Sequence, residues 1–421
     1  MKIGIIGSGG REHAICLSLK KSEDVNEIYC IPGNAGTSKI AVNLDIKIDN
    51  FEKIKKCITE KKIDLLIIGP EKPLVDGLVD FLENTNVKVF GPNKSASQLE
   101  GSKIFTKNLC KKYNIPTAKF GIFKNPDEAK KFLKVSNYPI VIKSDGLAAG
   151  KGVYICENKV IAFNAIDEIF GGKFGKADNL LIEEFLEGEE MSYFIITDGK
   201  TIKKFETAQD HKRVLEGDKG KNTGGMGAYS PSKLINKDLE EKITNKIIKP
   251  TLKGLLDLDI EYNGFLYAGL MIKDNEPFLI EYNVRMGDPE CQTILPKLET
   301  ELSKIFLYSC NKKLDQIDIK WSKKKSMCIV LCSKGYPEEY SKNIPINNIS
   351  KIETTQNDLC FHAGTMLKNE DTLAIGGRVL NFVSLSDNFL DARKRIIKNL
   401  KLLNWSDGFY RSDIGYKVID S

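Results

Sequence analysis

Three side chains suited to phosphoryl transfer stand at alternate positions in one short stretch: Glu281, Asn283 and Arg285. The apolar run 277–280 directly before them predicts a β-strand, and alternation along a strand puts all three on one face. Carboxylate and amide oxygens are hard ligands that can hold Mg²⁺. A guanidinium fixed beside them can balance the charge that develops on a transferring phosphoryl group. The stretch therefore indicates phosphoryl-transfer chemistry.

Size, charge and hydropathy narrow the class of protein. The 421 residues predict about two to four domains, and no apolar run approaches the roughly 20 residues that a membrane helix needs. The first seven residues are too short an apolar stretch for a signal peptide and predict a first strand. The net charge of +6 comes from dispersed lysines without a dense basic stripe. This charge pattern favours small anionic substrates over nucleic acid or a membrane surface.

Ten cysteines are scattered along the chain without a Cys-x-x-Cys pair. The two closest, Cys328 and Cys332, have no histidine near enough in the sequence to suggest a zinc site. We therefore expect reduced, buried cysteines in a cytoplasmic protein.

Residues 1–100 alternate short apolar strands with helical segments. The strand candidates, each followed by a turn that contains glycine, are 2–6, 27–31, 65–68 and 87–90. Strands that alternate with helices predict a doubly wound parallel sheet. Because the crevice of such a sheet lies at the C-terminal ends of its strands, we expect a binding site at that edge.

The remaining chain predicts an α+β region followed by a β-rich module. A helix begins near Ser102, and the elements expected after it are strand 138–143, strand 153–156, helix 159–170, strand 180–184 and a larger α+β unit over 190–320. The charged stretch 317–325 predicts a linker to a final module of about a hundred residues. The predicted fold class is thus multidomain, α/β at the N-terminus and α+β after it.

The first glycine turn, 7–10, resembles a nicotinamide-binding turn but departs from it twice. Glu12 stands where the third glycine of Gly-x-Gly-x-x-Gly is needed, and the second strand ends in 32–34 without an acid. A glycine turn that opens a helix still presents N–H groups to an anion. With Arg11 and His13 beside it, the turn is either a phosphosugar contact or purely structural.

The loop 146–152 resembles a phosphate-binding Walker A loop and fails the pattern. Three residues instead of four separate Gly146 from Gly150, and Gly152 replaces the Ser or Thr that would bind Mg²⁺. What remains is a glycine-rich loop that follows Lys143 at the end of a strand. The loop is either a flap that closes over phosphates or an ordinary solvent loop.

Two further stretches are rich in polar groups. The segment 182–190 mixes carboxylates with Phe185 and Leu186, and is either an acidic surface hinge or a slot for adenosine. The segment 208–213 contains acid, imidazole and two cations, and precedes a glycine cluster at 222–231. Glycine at that density excludes a helix interior or a core strand, so we interpret the cluster as a loop that faces substrate.

In their order along the chain, these stretches closely resemble the phosphoribosylamine–glycine ligases, a family of the ATP-grasp superfamily. The matching stretches run nearly end to end and are 7–13, 32–36, 69–71, 98–103, 142–153, 209–214, 222–231, 264–271, 281–290, 361–365, 376–379 and 410–415. Several of these stretches are peculiar to this family of ligases within the superfamily.

The resemblance implies three domains and one reaction. The domains are an N-terminal substrate-binding α/β domain at 1–101, an ATP-grasp domain at 102–325 with a mobile lid at about 118–188, and a C-terminal β-rich domain at 326–421. The implied reaction joins glycine to 5-phosphoribosylamine through glycyl phosphate, with ATP as co-substrate and Mg²⁺ or Mn²⁺ as the metal. This reaction is a step of de novo purine biosynthesis. The resemblance also implies that the enzyme is cytoplasmic, that it is a monomer and that its partners are small molecules.

Site residues follow from the same motif matches. The implied metal ligands are Glu281 and Asn283, and the implied catalytic residues are Arg285, Lys143 and Asp210. The implied ATP-binding residues are Lys103, Lys143, Gly150, Lys151, Glu183, Glu184, Phe185, Leu186 and Glu190. The implied substrate-binding residues are Gly9, Arg11, Glu71, Asp210, Lys212, Arg213, Asn222, Gly224 and Asp288.

Departures from the family pattern leave every charged group of this site in place. They include Met286 for a common aromatic residue, Lys221 for a common proline, and Cys291 and its two successors for a Thr-Gln-Pro run. The strand 264–272 contains no acid that could bind a second metal ion, so the number of metal ions stays open. An ATP-grasp ligase for another acid or amine, and a non-catalytic nucleotide-binding protein, are the competing hypotheses.

Overall fold

The computed structural model describes residues 1–147, 152–175 and 177–419. The first hundred residues form a parallel sheet with the strand order β3-β2-β1-β4-β5. Its strands are β1 (Lys2–Gly7), β2 (Glu27–Pro32), β3 (Val42–Asn43), β4 (Leu65–Ile68) and β5 (Lys88–Phe90). The helices of this region are α1 (Gly10–Lys20), α2 (Phe51–Lys61), α3 (Glu71–Asp76), α4 (Leu78–Phe81) and α5 (Gln98–Gly101).

Both faces of this sheet are covered because both sets of alternating side chains are apolar. Ile3 and Ile5 of β1 pack with α1 in one core, whereas Ile6 packs with α2 and α3 in another. Successive residues of a strand point to opposite faces. The doubly wound parallel sheet predicted from the sequence is therefore confirmed.

The glycines at the C-terminal edge of this sheet make room for one carboxylate. Gly7 has φ +124°, and a Cβ on Gly69 would lie 2.1 Å from Glu12 Oε1. The Glu12 side chain accepts the Gly9 N–H through Oε2 at 2.6 Å and the Arg11 Nε–H through Oε1 at 2.6 Å. Glu12, the departure from the nicotinamide pattern, is thus the group that organises the turn.

A small antiparallel sheet follows, with the strand order β6-β9-β7-β8; we call it the lid sheet. It is preceded by α6 (Lys103–Lys112), and its elements are β6 (Phe120–Phe123), α7 (Pro126–Leu133), β7 (Ile140–Ser144), β8 (Val153–Cys156), α8 (Lys159–Phe170) and β9 (Leu180–Glu184). The two helices and the sheet share a core separate from the other two cores. Of the expected flap, residues 148–151, including Gly150 and Lys151, lie outside the described residues.

The central region is an antiparallel sheet with the strand order β11-β10-β16-β17. Its elements, together with a two-stranded hairpin and short strands beside it, are β10 (Glu189–Thr197), β11 (Ile202–Lys204), β12 (Gln209–Asp210), β13 (Arg213–Leu215), β14 (Lys219–Asn222), β15 (Gly227–Ser230), α9 (Lys237–Ile243), α10 (Lys249–Leu256), β16 (Gly264–Lys273) and β17 (Glu276–Asn283). One face packs on the N-terminal sheet in a shared core. A register shift between β16 and β17 leaves Ile280 as an extra residue, so alternation restarts at Glu281.

The last region contains a sheet with the strand order β12-β15-β18-β23-β20, which β24 joins, and a smaller sheet with the order β19-β22-β21. Its elements are α11 (Glu290–Ile294), α12 (Leu302–Cys310), β18 (Lys325–Ser333), β19 (Ile344–Pro345), β20 (Asp358–His362), β21 (Thr365–Lys368), β22 (Asp371–Ala374), β23 (Arg378–Ser386), α13 (Phe389–Leu403), β24 (Gly408–Phe409) and α14 (Tyr416–Ile419). Two of the strands, β12 and β15, come from residues 209–230. The sheet therefore carries Asp210 at its edge, next to the central region.

Several local predictions agree with the structure and others differ in detail. Strands 65–68, 153–156 and 180–184 and helix 159–170 have the predicted bounds. The strand predicted at 138–143 begins at Ile140, because Pro139 has no N–H to donate to a ladder. The predicted linker 317–325 is packed: Trp321 lies edge-on against Phe205 with ring centroids 5.0 Å apart. None of the described helices combines the length and the apolar character needed to cross a lipid bilayer.

Candidate active site

One cleft of about 960 Å³ lies where the N-terminal sheet, the lid sheet, the central sheet and the C-terminal region meet. Most of the site residues expected from the sequence line it. They are Arg11, Glu71, Lys103, Lys143, Glu183, Glu184, Phe185, Leu186, Glu190, Asp210, Lys212, Arg213, Asn222, Gly224, Glu281, Asn283, Arg285 and Asp288. Gly9 is not among the described residues that line the cleft, and its N–H is bound to Glu12.

A buried carboxylate holds two lysines at one end of the cleft. Glu183 on β9 contacts Lys143 on β7 at 2.7 Å and Lys107 on α6 at 2.8 Å. All three residues are at most 4 % exposed. Burial opposes ionisation of Glu183, but the two ammonium groups hold its pKa below the usual value. The carboxylate therefore stays charged and keeps Lys143 at the cleft wall.

Lys103 stands one helical turn before Lys107 on α6, on the same face of the helix. Its Nζ donates to the carbonyl oxygen of Gly146 at 2.8 Å, at the base of the flap. Burial lowers the pKa of Lys103, and Glu281 across the cleft opposes that shift. Two cations, Lys103 and Lys143, thus line the same end of the cleft.

The connection between β9 and β10 forms an apolar wall with polar ends. Phe185 and Leu186 line the cleft together with Val153, Ile155, Leu181, Met271 and Ile280. Glu190 at the far end contacts Lys212 Nζ at 2.6 Å. Burial opposes ionisation of Glu190, and Lys212 lowers its pKa. A planar aromatic base can pack against the apolar side chains of this wall, and a sugar hydroxyl can donate to the carboxylate of Glu190.

Glu281 and Asn283 offer oxygen ligands without protein partners. Both face the cleft from β17, and among the described residues neither side chain has a hydrogen bond or an ion pair. Glu281 pairs with Gly269 of β16, so the neighbouring strand adds no acid at this level. No three His, Cys, Asp or Glu side chains of the described chain lie close enough to hold a metal ion unaided. The donor set fits one divalent ion completed by nucleotide oxygens and water.

Arg285 lies two residues beyond the end of β17, so the expectation that a strand would position it is wrong in detail. Two carboxylates hold it instead: Arg285 Nε contacts Glu71 Oε2 at 3.2 Å, and Nη2 contacts Glu100 Oε1 at 2.8 Å. Glu100 Oε2 also accepts the backbone N–H of Val284 at 2.8 Å. The guanidinium lowers the pKa of Glu71 to about 2, whereas burial raises that of Glu100 to about 7. Arg285 still faces the cleft beside Asn283.

The opposite end of the cleft brings arginines from the N-terminal and C-terminal regions close to Asp288. Arg378 of β23 contacts Asp288 Oδ1 at 3.3 Å, and its Nη1 donates to the carbonyl oxygens of Asp288 and Gly224 at 2.6 Å each. Burial opposes ionisation of Asp288, but Arg378 and Arg11 lower its pKa. This end therefore combines two arginine side chains with hydrogen-bond groups, which suits a phosphorylated sugar.

Asp210 lies among other carboxylates at the middle of the cleft. Burial raises its pKa to about 7, with Glu290 and Glu190 adding to the shift and Lys212 opposing it. Burial opposes the charge of Lys212, but Glu190 and Asp210 hold its pKa well above the usual value. Asp210 is therefore a carboxyl group that can gain or lose a proton near neutral pH.

Sequence reasoning missed several residues of the cleft wall. They are Glu100, Tyr267, Glu290, Arg378 and Lys417. The first four lie inside stretches of the sequence that match the family, and the match is a signal that could have identified them. Lys417 has no local signal, because its position depends on how the end of the chain packs.

We expect Glu183→Ala to lower the free energy of unfolding by about 3–5 kcal/mol, because it leaves two buried ammonium groups without a counter-charge. Urea titration followed by circular dichroism measures the change. Glu187→Ala, an exposed acid four residues away, is the matched control and should change stability by no more than about 0.5 kcal/mol. Equal stability of the two variants would contradict the structural role of Glu183.

Models of one protein family match three consecutive parts of the chain. The N, ATP-grasp (A) and C domains of phosphoribosylglycinamide synthetase match residues 1–100, 101–291 and 326–417. A phosphoribosylamine–glycine ligase of Brucella melitensis is 43 % identical, covering 100 % of this chain and 99 % of the relative. A chloroplastic phosphoribosylamine–glycine ligase of Arabidopsis thaliana is 44 % identical, covering 97 % of this chain and 79 % of the relative.

A solved structure agrees with these matches. The crystal structure of a phosphoribosylamine–glycine ligase from Thermotoga maritima superposes with a TM-score of 0.86 at 33 % identity, covering 98 % of this chain and 100 % of that one. The similarity thus extends over all three matched regions and over the cleft between them. The chain belongs to the phosphoribosylglycinamide synthetase family, the phosphoribosylamine–glycine ligases of ATP-grasp fold.

Proposed function

We propose that this chain catalyses the ATP-dependent ligation of glycine to 5-phosphoribosylamine. The products are glycinamide ribonucleotide, ADP and phosphate, and the reaction is a step of de novo purine biosynthesis. The observation that carries the proposal is one cleft that joins a lysine-lined nucleotide end, through Arg285 and Asp210, to an arginine-lined end at Asp288. The names of the close relatives support the same reaction.

The first step activates glycine, because a carboxylate has no good leaving group until it is phosphorylated. An oxygen of the glycine carboxylate attacks the γ-phosphorus of ATP, the bond to the β-phosphate oxygen breaks, and ADP leaves. Glycyl phosphate is the product of this step. Such a transfer needs positioning and charge stabilisation more than a protein nucleophile. Lys143 and Arg285, each held by buried carboxylates, supply fixed positive charge at the phosphates.

The second step forms the amide bond. The amine nitrogen of phosphoribosylamine attacks the acyl carbon of glycyl phosphate, the carbon–oxygen bond breaks, and phosphate leaves. The nitrogen loses one proton in this step. Asp210, with a pKa of about 7, can accept that proton at the middle of the cleft.

Glu281 and Asn283 are the residues that would hold Mg²⁺ or Mn²⁺. A bound divalent ion would neutralise charge on the nucleotide phosphates. Because both side chains lie free of protein partners on the cleft face of β17, they need no rearrangement to act as ligands.

The nucleotide end is assigned to residues from both sides of the lid sheet. We assign the phosphates to Lys103, Lys143, Gly150 and Lys151, and the adenosine to Glu183, Glu184, Phe185, Leu186 and Glu190. The apolar wall around Phe185 and the acid at Glu190 support the adenosine assignment.

The phosphoribosylamine end is assigned to Gly9, Arg11, Glu71, Lys212, Arg213, Asn222, Gly224 and Asp288. The two arginines near Asp288, Arg11 and Arg378, support a phosphorylated sugar there. Gly9 would act through the turn that it shares with Arg11, because its own N–H is bound to Glu12.

We also propose a division into domains at 1–101, 102–325 and 326–421, with a mobile lid at about 118–188. The three family matches and the separate core of the lid sheet support this division. The cleft is complete within one chain, which supports a monomer that acts on small molecules. A cytoplasmic location is supported by ten cysteines that are all free thiols.

A substrate panel tests the reaction. ADP release should require both glycine and phosphoribosylamine, and the product should be glycinamide ribonucleotide by mass. ADP release with another carboxylic acid and not with glycine would favour a different ATP-grasp ligase. Nucleotide binding without turnover of any acid would favour a binding protein.

We expect Arg285→Ala to cost roughly 2–4 kcal/mol of transition-state stabilisation, the scale of losing one charge-stabilising donor. Steady-state measurement of kcat for ADP release gives the value. Arg285→Lys retains the charge without the planar contacts to Glu71 and Glu100 and should lose less. Turnover near that of the unsubstituted protein in the alanine variant would contradict the role.

We expect Glu281→Gln to weaken binding of the divalent ion, because an amide oxygen is a poorer ligand than a carboxylate. Titration of activity with Mg²⁺ should show half-saturation at a higher concentration. Glu276→Gln, on the same strand but paired with Lys242 and Lys246 away from the cleft, is the matched control. An unchanged titration in the Glu281 variant would reject it as a ligand.

We expect the ionisation of Asp210 to set the acidic limb of the pH profile of kcat/KM. A base must be ionised to accept a proton, so kcat/KM for phosphoribosylamine should rise with pH and level off above a pKa of about 7. Asp210→Asn should lower kcat/KM and remove this limb. A limb of the same position in the asparagine variant would belong to another group and would contradict the assignment.

A further inference from the structure

The end of the chain is bound to the hairpin β13–β14, which follows the cleft residues Asp210 and Lys212. The tip of the hairpin carries Asp218, whose carboxylate accepts contacts from four donors. Its Oδ1 contacts Arg411 Nη1 at 2.8 Å and His211 Nδ1 at 3.3 Å. Its Oδ2 contacts Tyr416 Oη and Lys417 Nζ at 3.0 Å each. Three of these donors belong to the segment 411–417.

His211 connects this set of contacts to the cleft. The backbone N–H of Gly415 donates to His211 Nε2 at 3.1 Å, and an N–H can only donate. Nε2 is therefore unprotonated, and Nδ1 carries the hydrogen that points to Asp218. Burial lowers the pKa of His211, which keeps the ring in this neutral form. His211 is 1 % exposed and stands between Asp210 and Lys212 in the sequence.

Arg411 is the second fixed point. It is 1 % exposed, and besides Asp218 it binds Asp413 through two parallel contacts of 2.8 and 2.7 Å. Its Nη1 also donates to the carbonyl oxygen of Arg213 at 2.9 Å. The same guanidinium thus holds the tip of the hairpin, its first residue and the end of the chain.

We propose that Asp218 and Arg411 are positioning residues of the active site. The segment 411–417 fixes the stretch 210–218, and so places the carboxylate of Asp210 and the ammonium of Lys212 for the reaction. It also brings Lys417 to the cleft wall. The change in kcat expected from this inference rests on the proposed function, whereas the expected change in amide hydrogen exchange does not.

We expect loss of these contacts to affect catalysis more than it affects overall folding. Apart from His211, which directly follows β12, the residues that make these contacts belong to the hairpin and to the end of the chain, and none of them is a member of the two large cores. Loss of a buried contact there loosens the hairpin while the sheets stay paired. A shift of about 1 Å in a catalytic group can cost about a hundredfold in rate.

Asp218→Asn is the test variant and Glu216→Gln is its matched control. Both remove one negative charge from the tip of the hairpin. Glu216 contacts Ser412 on the exposed side and touches neither His211 nor Arg411. An asparagine at 218 has one acceptor oxygen for four donors, so it cannot satisfy Asp218's partners.

In Asp218→Asn we expect kcat to fall by about tenfold to a hundredfold, with binding of ATP unchanged. Amide hydrogen exchange in 209–215 should become faster while exchange in the central sheet stays the same. Glu216→Gln should match the unsubstituted protein within about twofold in kcat. An Asp218→Asn protein that matches Glu216→Gln in both kcat and exchange would overturn the inference.

Arg411→Lys decides the question if Asp218→Asn does not fold. Lysine retains the charge but cannot bind Asp218, Asp413 and the Arg213 carbonyl together. It should show the same two changes to a smaller extent, and normal kcat with normal exchange would overturn the inference. Failure of the proposed function appears separately, as a lack of ADP release by the unsubstituted protein, and the exchange comparison still tests the positioning.

Discussion

The active site depends on two carboxylates that neutralise the charge of one partly buried guanidinium, that of Arg285. Arg285 lies beside Glu281 and Asn283, the proposed metal ligands, and a cation partly removed from water is costly unless opposite charge accompanies it. Glu71 at the start of α3 and Glu100 on α5 supply that charge. Glu100 also binds the backbone at Val284, so one carboxylate sets both the path of the chain after β17 and the direction of the guanidinium. The N-terminal and central regions therefore meet at this residue.

The same regions are also joined through their cores. Successive residues of β1 contribute to two different cores, one shared with the C-terminal sheet and one shared with the central sheet. The N-terminal sheet is thus packed between the other two large units, and its C-terminal edge opens into the cleft. Rigid packing on both faces keeps Arg11 and Glu71 at constant positions relative to Arg285 and Asp288.

Local pattern predicted the elements well and the tertiary contacts poorly. The strand at 180–184 and the helix at 159–170 follow from periodicity and turn residues, which act over a few positions. The contacts of Arg285 with Glu71 and Glu100 span 214 and 185 residues, and no spacing rule links positions so far apart. The family motifs contain the residues at both ends of such contacts, but they do not show which residues contact each other. Lys417 has no such local signal, because its place depends on a long-range contact of its Nζ with Asp218 Oδ2 at 3.0 Å.

The ion pairs of Glu183 have a consequence for movement of the lid sheet. Lys143 lies within that sheet, but Lys107 lies on α6 before it. Rotation of the sheet as a unit preserves the first pair and lengthens the second. Because both lysines are buried, bulk salt screens this contact little. In the lid that we propose, the hinge would therefore be partly electrostatic, because Glu183 in the sheet restrains Lys107 on α6 in addition to the linking peptide.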